Sequence, residues 1–76
     1  MAGNSESVLR IVREETGRAP RELRFPDTDE GVVAFLTLGL DPGSDLQAAH
    51  ATASAIEERL RQERPEIAEI IVHTEP

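Results

Sequence analysis

The 76-residue sequence has no cysteine, no tryptophan and no tyrosine, and it has only two phenylalanines. Without cysteine, the chain can form neither a disulfide framework nor a thiolate metal site. With so few aromatic side chains to stack on bases, recognition of single-stranded nucleic acid is not expected. A chain of this length forms one small domain with a marginal core, and such a core is often supplemented by an oligomer or a metal ion.

Positive charge is also scarce, because 8 basic residues stand against 15 acidic ones and give a formal net charge of −7. Phosphate backbones are bound through excess positive charge, so this balance argues against nucleic acid and anionic membranes and mildly favours cations. No apolar run approaches the roughly 20 residues of a membrane span, and the N-terminus lacks the pattern of a secretory signal. We therefore predict a soluble, cytoplasmic protein with no direct membrane insertion.

The residue pattern predicts two helices and three strands in the order α-β-β-α-β. Their ranges in chain order are 5–17, 21–25, 32–40, 45–64 and 68–73. Pro65 ends the second helix, and Ser44 is predicted to cap its start. Residues 1–4 are predicted to be a flexible tail, so a single domain spans 5–76. The apolar stripe of the second helix is predicted to consist of Leu46, Ala49, Ala53, Ile56 and Leu60.

This order predicts an α+β sandwich with both helices on one face of a three-stranded mixed sheet. The first two strands form an antiparallel hairpin, and the long second helix carries the chain to a parallel third strand. The most apolar strand, 32–40, lies in the middle. Its side chains at Leu36, Leu38 and Leu40 face the helices, which leaves Phe35 on the open face as a candidate contact for a second subunit.

From "VVAFLTLGL" to the C-terminus the residues resemble the cytoplasmic C-terminal domain of the cation diffusion facilitator metal transporters. The features that carry the resemblance are Ala49-His50 early in the long helix, Pro65 at its end, and the closing His73-Thr74-Glu75-Pro76. The resemblance extends over residues 5–76. It implies a ferredoxin-like fold, a homodimer in the cytoplasm, and binding of zinc or a related divalent ion in metal homeostasis.

The candidate metal ligands are His50, His73 and Glu75. On an extended segment, side chains two residues apart share a face, so His73 and Glu75 can reach one ion. Imidazole and carboxylate suit zinc first, with manganese, iron, cobalt and nickel as alternatives. His50 flanks the apolar stripe of the second helix, and a water or a second chain would complete the coordination. By spacing alone, a chain end that is merely polar is the competing interpretation.

Two positions depart from the pattern of the resembled family. Its first-strand histidine falls on Arg21, and a central-strand ligand of some members falls on Gly39. The transmembrane half that moves the ion is also absent. The chain is therefore expected to be either a fragment of a transporter or a free-standing relative. The start at Met1 slightly favours the free-standing relative, which would act on a membrane metal transporter in trans.

Other kinds of site find less support. The acidic turn with Asp27, Asp29 and Glu30 lacks the glycine and the closing glutamate of a calcium loop, so a solvated hairpin tip is the simpler interpretation. No nucleophile–base pair or phosphate-cradling loop is evident, and an enzyme is not expected. The alternative to a metal-binding module is a metal-independent dimerisation module that has lost its sites, and a third hypothesis is an enzyme subunit that uses the open sheet face as a pocket.

Overall fold

A computed structural model describes the backbone of residues 3–76. The elements are α1 (Gly3–Thr16), β1 (Glu22–Arg24), β2 (Asp27–Thr28), β3 (Gly31–Gly39), α2 (Leu46–Glu63) and β4 (Glu69–Glu75). The helix α1 begins at Gly3, inside the segment 1–4 that the sequence predicts to be a tail, and residues 1 and 2 lie outside the described residues. Gly17 ends α1 in the left-handed conformation, with φ +80°, that glycine adopts without strain.

The strand β3 lies at the centre of the sheet. It pairs with β1 in antiparallel orientation and with β4 in parallel orientation, so the predicted mixed pairing is confirmed. Within residues 3–76 the sheet has four strands, one more than predicted. Because β3 has a partner on both edges and helices on one face, it is apolar along most of its length. The strand β2 is a two-residue addition at the tip of the hairpin, where Asp27 lies opposite Val32 within the predicted turn.

The core lies between the sheet and the two helices, which pack on the same face. It is built from the fully buried side chains Ile11, Leu36, Leu38, Ile56, Leu60, Val8 and Val12. The prediction for Leu46 was wrong, because this side chain is 83% exposed and the buried part of α2 begins one turn later, at Ala49. Leu40 likewise is only partly buried and lies outside the core cluster.

The start of α2 also differs from the prediction. Asp45, not Ser44, is the capping residue, and its carboxylate accepts a hydrogen bond of 3.2 Å from the backbone N–H of Gln47. The backbone N–H of Ser44 instead donates to the carbonyl of Asp41 at 2.9 Å. Aspartate and serine are both good capping residues, so the sequence alone does not decide between neighbours.

An ion-pair network joins the outer surfaces of the two helices. Arg59 of α2 donates to Glu14 at 2.6 Å and to Glu15 at 3.2 Å, and Arg10 of α1 donates to Glu63 at 2.5 Å. Arg59 also lies 3.8 Å from Glu63, four residues further along α2. The hydrogen bond from Arg59 lowers the pKa of the Glu14 carboxyl below its usual 4.5.

This network predicts a pH dependence of stability. A carboxyl whose pKa is lowered by folding contributes stability above its unfolded pKa of 4.5, and this contribution is lost as the pH falls through the folded value. We therefore expect the free energy of unfolding, measured by urea denaturation, to fall less steeply below pH 4.5 in Arg59→Gln than in the wild type. Arg61→Gln, which removes the same charge from α2 outside the network, is the control, and equal slopes for the wild type and Arg59→Gln would contradict the prediction.

Candidate metal centre

His73 and Glu75 lie on β4, on the sheet face that is turned away from the helices. Parallel pairing with β3 places His73 beside Thr37 and Glu75 beside Gly39. Leu36 and Leu38 enter the core, so the alternate positions of β3, and the β4 positions beside them, face the open side. The strand period alone therefore brings both candidate ligands to one face.

On this face the two side chains meet. The Nε2 atom of His73 lies 3.5 Å from Oε2 of Glu75, and the two side chains are 57% and 47% exposed. An imidazole nitrogen and a carboxylate oxygen so close together and open to solvent can bind one cation jointly.

His50 does not join them within one chain. It is an exposed residue of α2, and within residues 3–76 no group of three histidine, aspartate or glutamate side chains is placed to hold a metal ion. The structure thus places together two of the three predicted ligands, His73 and Glu75, and leaves His50 outside their site.

Glu75 has a second partner, the guanidinium of Arg21, at 3.3 Å from Nη1 to Oε1. Arg21 lies in a bend just before β1, and its backbone N–H donates to the carbonyl of Thr37 at 2.8 Å. Its side chain crosses β3 above Gly39, where a Cβ atom would lie only 2.5 Å from the Arg21 Nε. One carboxylate is therefore shared between an imidazole and a fixed cation.

The sequence analysis did not predict the contact of Arg21 with Glu75 across Gly39. The usable signal was the glycine itself, because an isolated glycine in a strand often marks a place where another group approaches closely. The two positions at which the sequence departs from the resembled family are in contact with one another in the structure.

The donor set fits a divalent transition metal in type but not in number. Structural zinc sites have four ligands, whereas one chain presents two, His73 and Glu75. The arrangement therefore suits a site that is completed by a second chain, and not a closed site within one chain.

Phe35 lies on the same face, one row away from His73, between Arg24 of β1 and Ile71 of β4. The Arg24 guanidinium carbon is 5.1 Å from the centroid of the Phe35 ring, and Ile71 is 38% exposed. An open cavity of about 370 Å³ adjoins the ring. The open face thus combines an apolar row with the polar row that contains the candidate ligands.

Residues 6–76 match the family model of the cation efflux protein cytoplasmic domain, named ZT_dimer. The chain belongs to this family. The resemblance that the sequence shows is therefore confirmed. The members of this family are cytoplasmic domains of cation efflux proteins. No curated protein shows significant sequence similarity to the chain. None of the helices in residues 3–76 has the length and apolar character needed to cross a bilayer.

Solved structures show the same fold. The cytosolic domain of a cation diffusion facilitator family protein is 14% identical with a TM-score of 0.85, and the match covers 99% of this chain and 90% of that chain. A nickel form of a MamM CTD variant is 18% identical with a TM-score of 0.82 and coverage of 99% and 96%. A cadmium form of another variant is 19% identical with a TM-score of 0.79 and coverage of 93% and 90%. The predicted ferredoxin-like α+β fold is thereby confirmed.

Proposed function

We propose that this cation efflux domain is a homodimeric regulatory module that binds a divalent transition metal on the open face of its sheet. The observation that carries the proposal is the approach of His73 Nε2 to Glu75 Oε2, at 3.5 Å on an exposed surface. The nickel and cadmium forms of structurally similar domains support the class of ion. Zinc is the first candidate because imidazole and carboxylate both suit it, and manganese, iron, cobalt and nickel are the alternatives.

A second copy of the chain would complete the coordination. It would contribute its own His73 and Glu75, or His50, which stands apart from the pair within one chain. The name of the family model supports a dimer. A metal ion that binds only the assembled pair stabilises that pair, so metal concentration would control dimer formation. The regulated partner would be a membrane cation transporter.

Calorimetric titration of zinc into the metal-free protein tests the site. The His73→Ala variant is expected to bind zinc at least about a hundredfold more weakly, because losing even an outer-shell partner of a metal ligand costs 10–100-fold. Glu75→Gln should weaken binding in the same direction. Glu69→Gln is the matched control, since Glu69 lies on the same strand but beside Val33, away from His73.

The predicted role of His50 is tested with the same titration. His50→Ala should weaken zinc binding if this side chain reaches the ion from a second copy. Binding heat that survives in the double variant His50→Ala/His73→Ala would overturn the proposed site altogether, whereas loss of heat only with His73→Ala would assign the site to β4 alone.

One observation favours a second candidate, a dimerisation module that works without metal. The carboxylate of Glu75 already has a cationic partner in Arg21, so its negative charge is balanced without a metal ion. On this alternative, a many-fold excess of zinc leaves the melting temperature unchanged, and the dimer persists in the presence of a chelator.

A further inference from the structure

The guanidinium of Arg21 lies on the open face beside Oε1 of Glu75, whose other carboxylate oxygen, Oε2, lies beside His73. It starts from the bend before β1, crosses the central strand above Gly39, and reaches Glu75 on the opposite edge strand. The contact reaches from the start of β1 across β3 to β4, and it joins residues that are 54 positions apart in the chain. The same Glu75 carboxylate lies beside His73, so imidazole and guanidinium share one anionic group.

We propose that Arg21 is a built-in cation that competes with a divalent metal ion for Glu75 and thereby sets the metal affinity of this face. The inference rests on the proposed metal function and adds the residue that regulates it. In the metal-free chain the guanidinium neutralises Glu75. When a divalent ion binds to His73 and Glu75, the Arg21–Glu75 pair must break or the two cations must remain close together.

Electrostatics gives the size of the effect. Arg21 and Glu75 are each about half exposed, so the medium between them is closer to water than to a protein interior. Unit charges about 4 Å apart in water change an equilibrium constant by roughly fivefold, and a divalent ion doubles the energy, for roughly thirtyfold. Salt screens exposed charges, so a reduction of about tenfold in metal affinity is the expected contribution of Arg21.

Gly39 is what allows Arg21 to lie there. A methyl group at this position would be 2.5 Å from Nε and 3.0 Å from Cζ of Arg21, closer than such atoms approach. The atoms it meets belong to the far end of a flexible side chain, so Gly39→Ala should displace the guanidinium while leaving the fold and the net charge intact. Gly39→Ala therefore moves the Arg21 cation without removing it, whereas a substitution at Arg21 removes the charge itself.

The experiment compares zinc affinities by calorimetry for the wild type and two exchanges at Arg21. Arg21→Gln removes the charge and is expected to tighten zinc binding about tenfold, whereas Arg21→Lys retains a cation and should stay close to the wild type. Arg18→Gln is the matched control: Arg18 is 51% exposed and pairs with Asp41 at 2.9 Å, so the variant removes the same charge away from Glu75. Gly39→Ala should tighten binding in the same direction as Arg21→Gln.

The outcomes separate this inference from the proposed function. If the wild type binds zinc and Arg21→Gln binds it equally well, the competing role of Arg21 is overturned and the metal function stands. If only Arg21→Gln binds zinc, and adding His73→Ala removes that binding, the competition is supported and the native chain is a metal-independent module. If neither protein binds zinc, both proposals are overturned.

Discussion

Replacing Leu36 by alanine is expected to lower the free energy of unfolding by about 2–5 kcal/mol. Leu36 is fully buried in the middle of β3, beside Leu23 of β1 and under both helices. Removing its three terminal carbons loses their transfer energy and leaves a cavity that the surrounding strands and helices cannot fully close. A domain of this size is stable by roughly 0.05–0.15 kcal/mol per residue, so the loss is a large share of the total.

Urea denaturation at neutral pH measures this loss, and the chain offers a control with the same chemical change. Leu46→Ala also turns a leucine into alanine, but Leu46 is 83% exposed, so its effect should stay within about 0.5 kcal/mol. Equal destabilisation by the two exchanges would show that Leu46 packs in solution as the helical spacing predicts, and would contradict the core described here.

The elements could be predicted from the sequence because their periods are set locally. The run of apolar residues in β3 and the three- and four-residue spacing in α2 each fit one kind of backbone. Burial at the ends of elements could not be predicted in this way. Leu46 continues the spacing of α2, but its exposure depends on how far the first turn of the helix extends relative to the sheet, which is a tertiary property.

In the candidate site, too, the local relation could be predicted from the sequence and the long-range contact could not. His73 and Glu75 share a face because strand alternation places them there, and this follows from two residues of separation. The bridge from Arg21 to Glu75 joins residues more than fifty positions apart and starts in a bend, where alternation gives no direction. Only the order of the strands, with β3 between β1 and β4, brings the two together.

A single aspartate on the open face is expected to convert the proposed dimer into a monomer. Phe35 is half-buried in the isolated chain, with Arg24 over its ring and the partly exposed Ile71 beside it. At the centre of an interface, an aromatic anchor typically contributes about 2 kcal/mol or more, and a buried carboxylate adds a desolvation cost. Phe35→Asp should therefore weaken association by at least roughly thirtyfold.

Light scattering at high micromolar concentration measures the result, with twice the 8.3 kDa of one chain expected for the wild type and one chain mass for Phe35→Asp. The isolated fold should survive, because the new carboxylate is open to solvent and lies next to the Arg24 guanidinium. Val32→Asp is the matched control: it adds a carboxylate to the same strand, at a position that is 37% exposed and of the opposite parity, so the dimer should persist. A wild type with the mass of one chain at this concentration, or a Phe35→Asp protein that keeps the mass of two, would show that this face does not join two copies.

Because the apolar row of Phe35 and the polar row of His73 lie side by side on one face, a dimer formed there would bring the candidate ligands of both copies to the same interface.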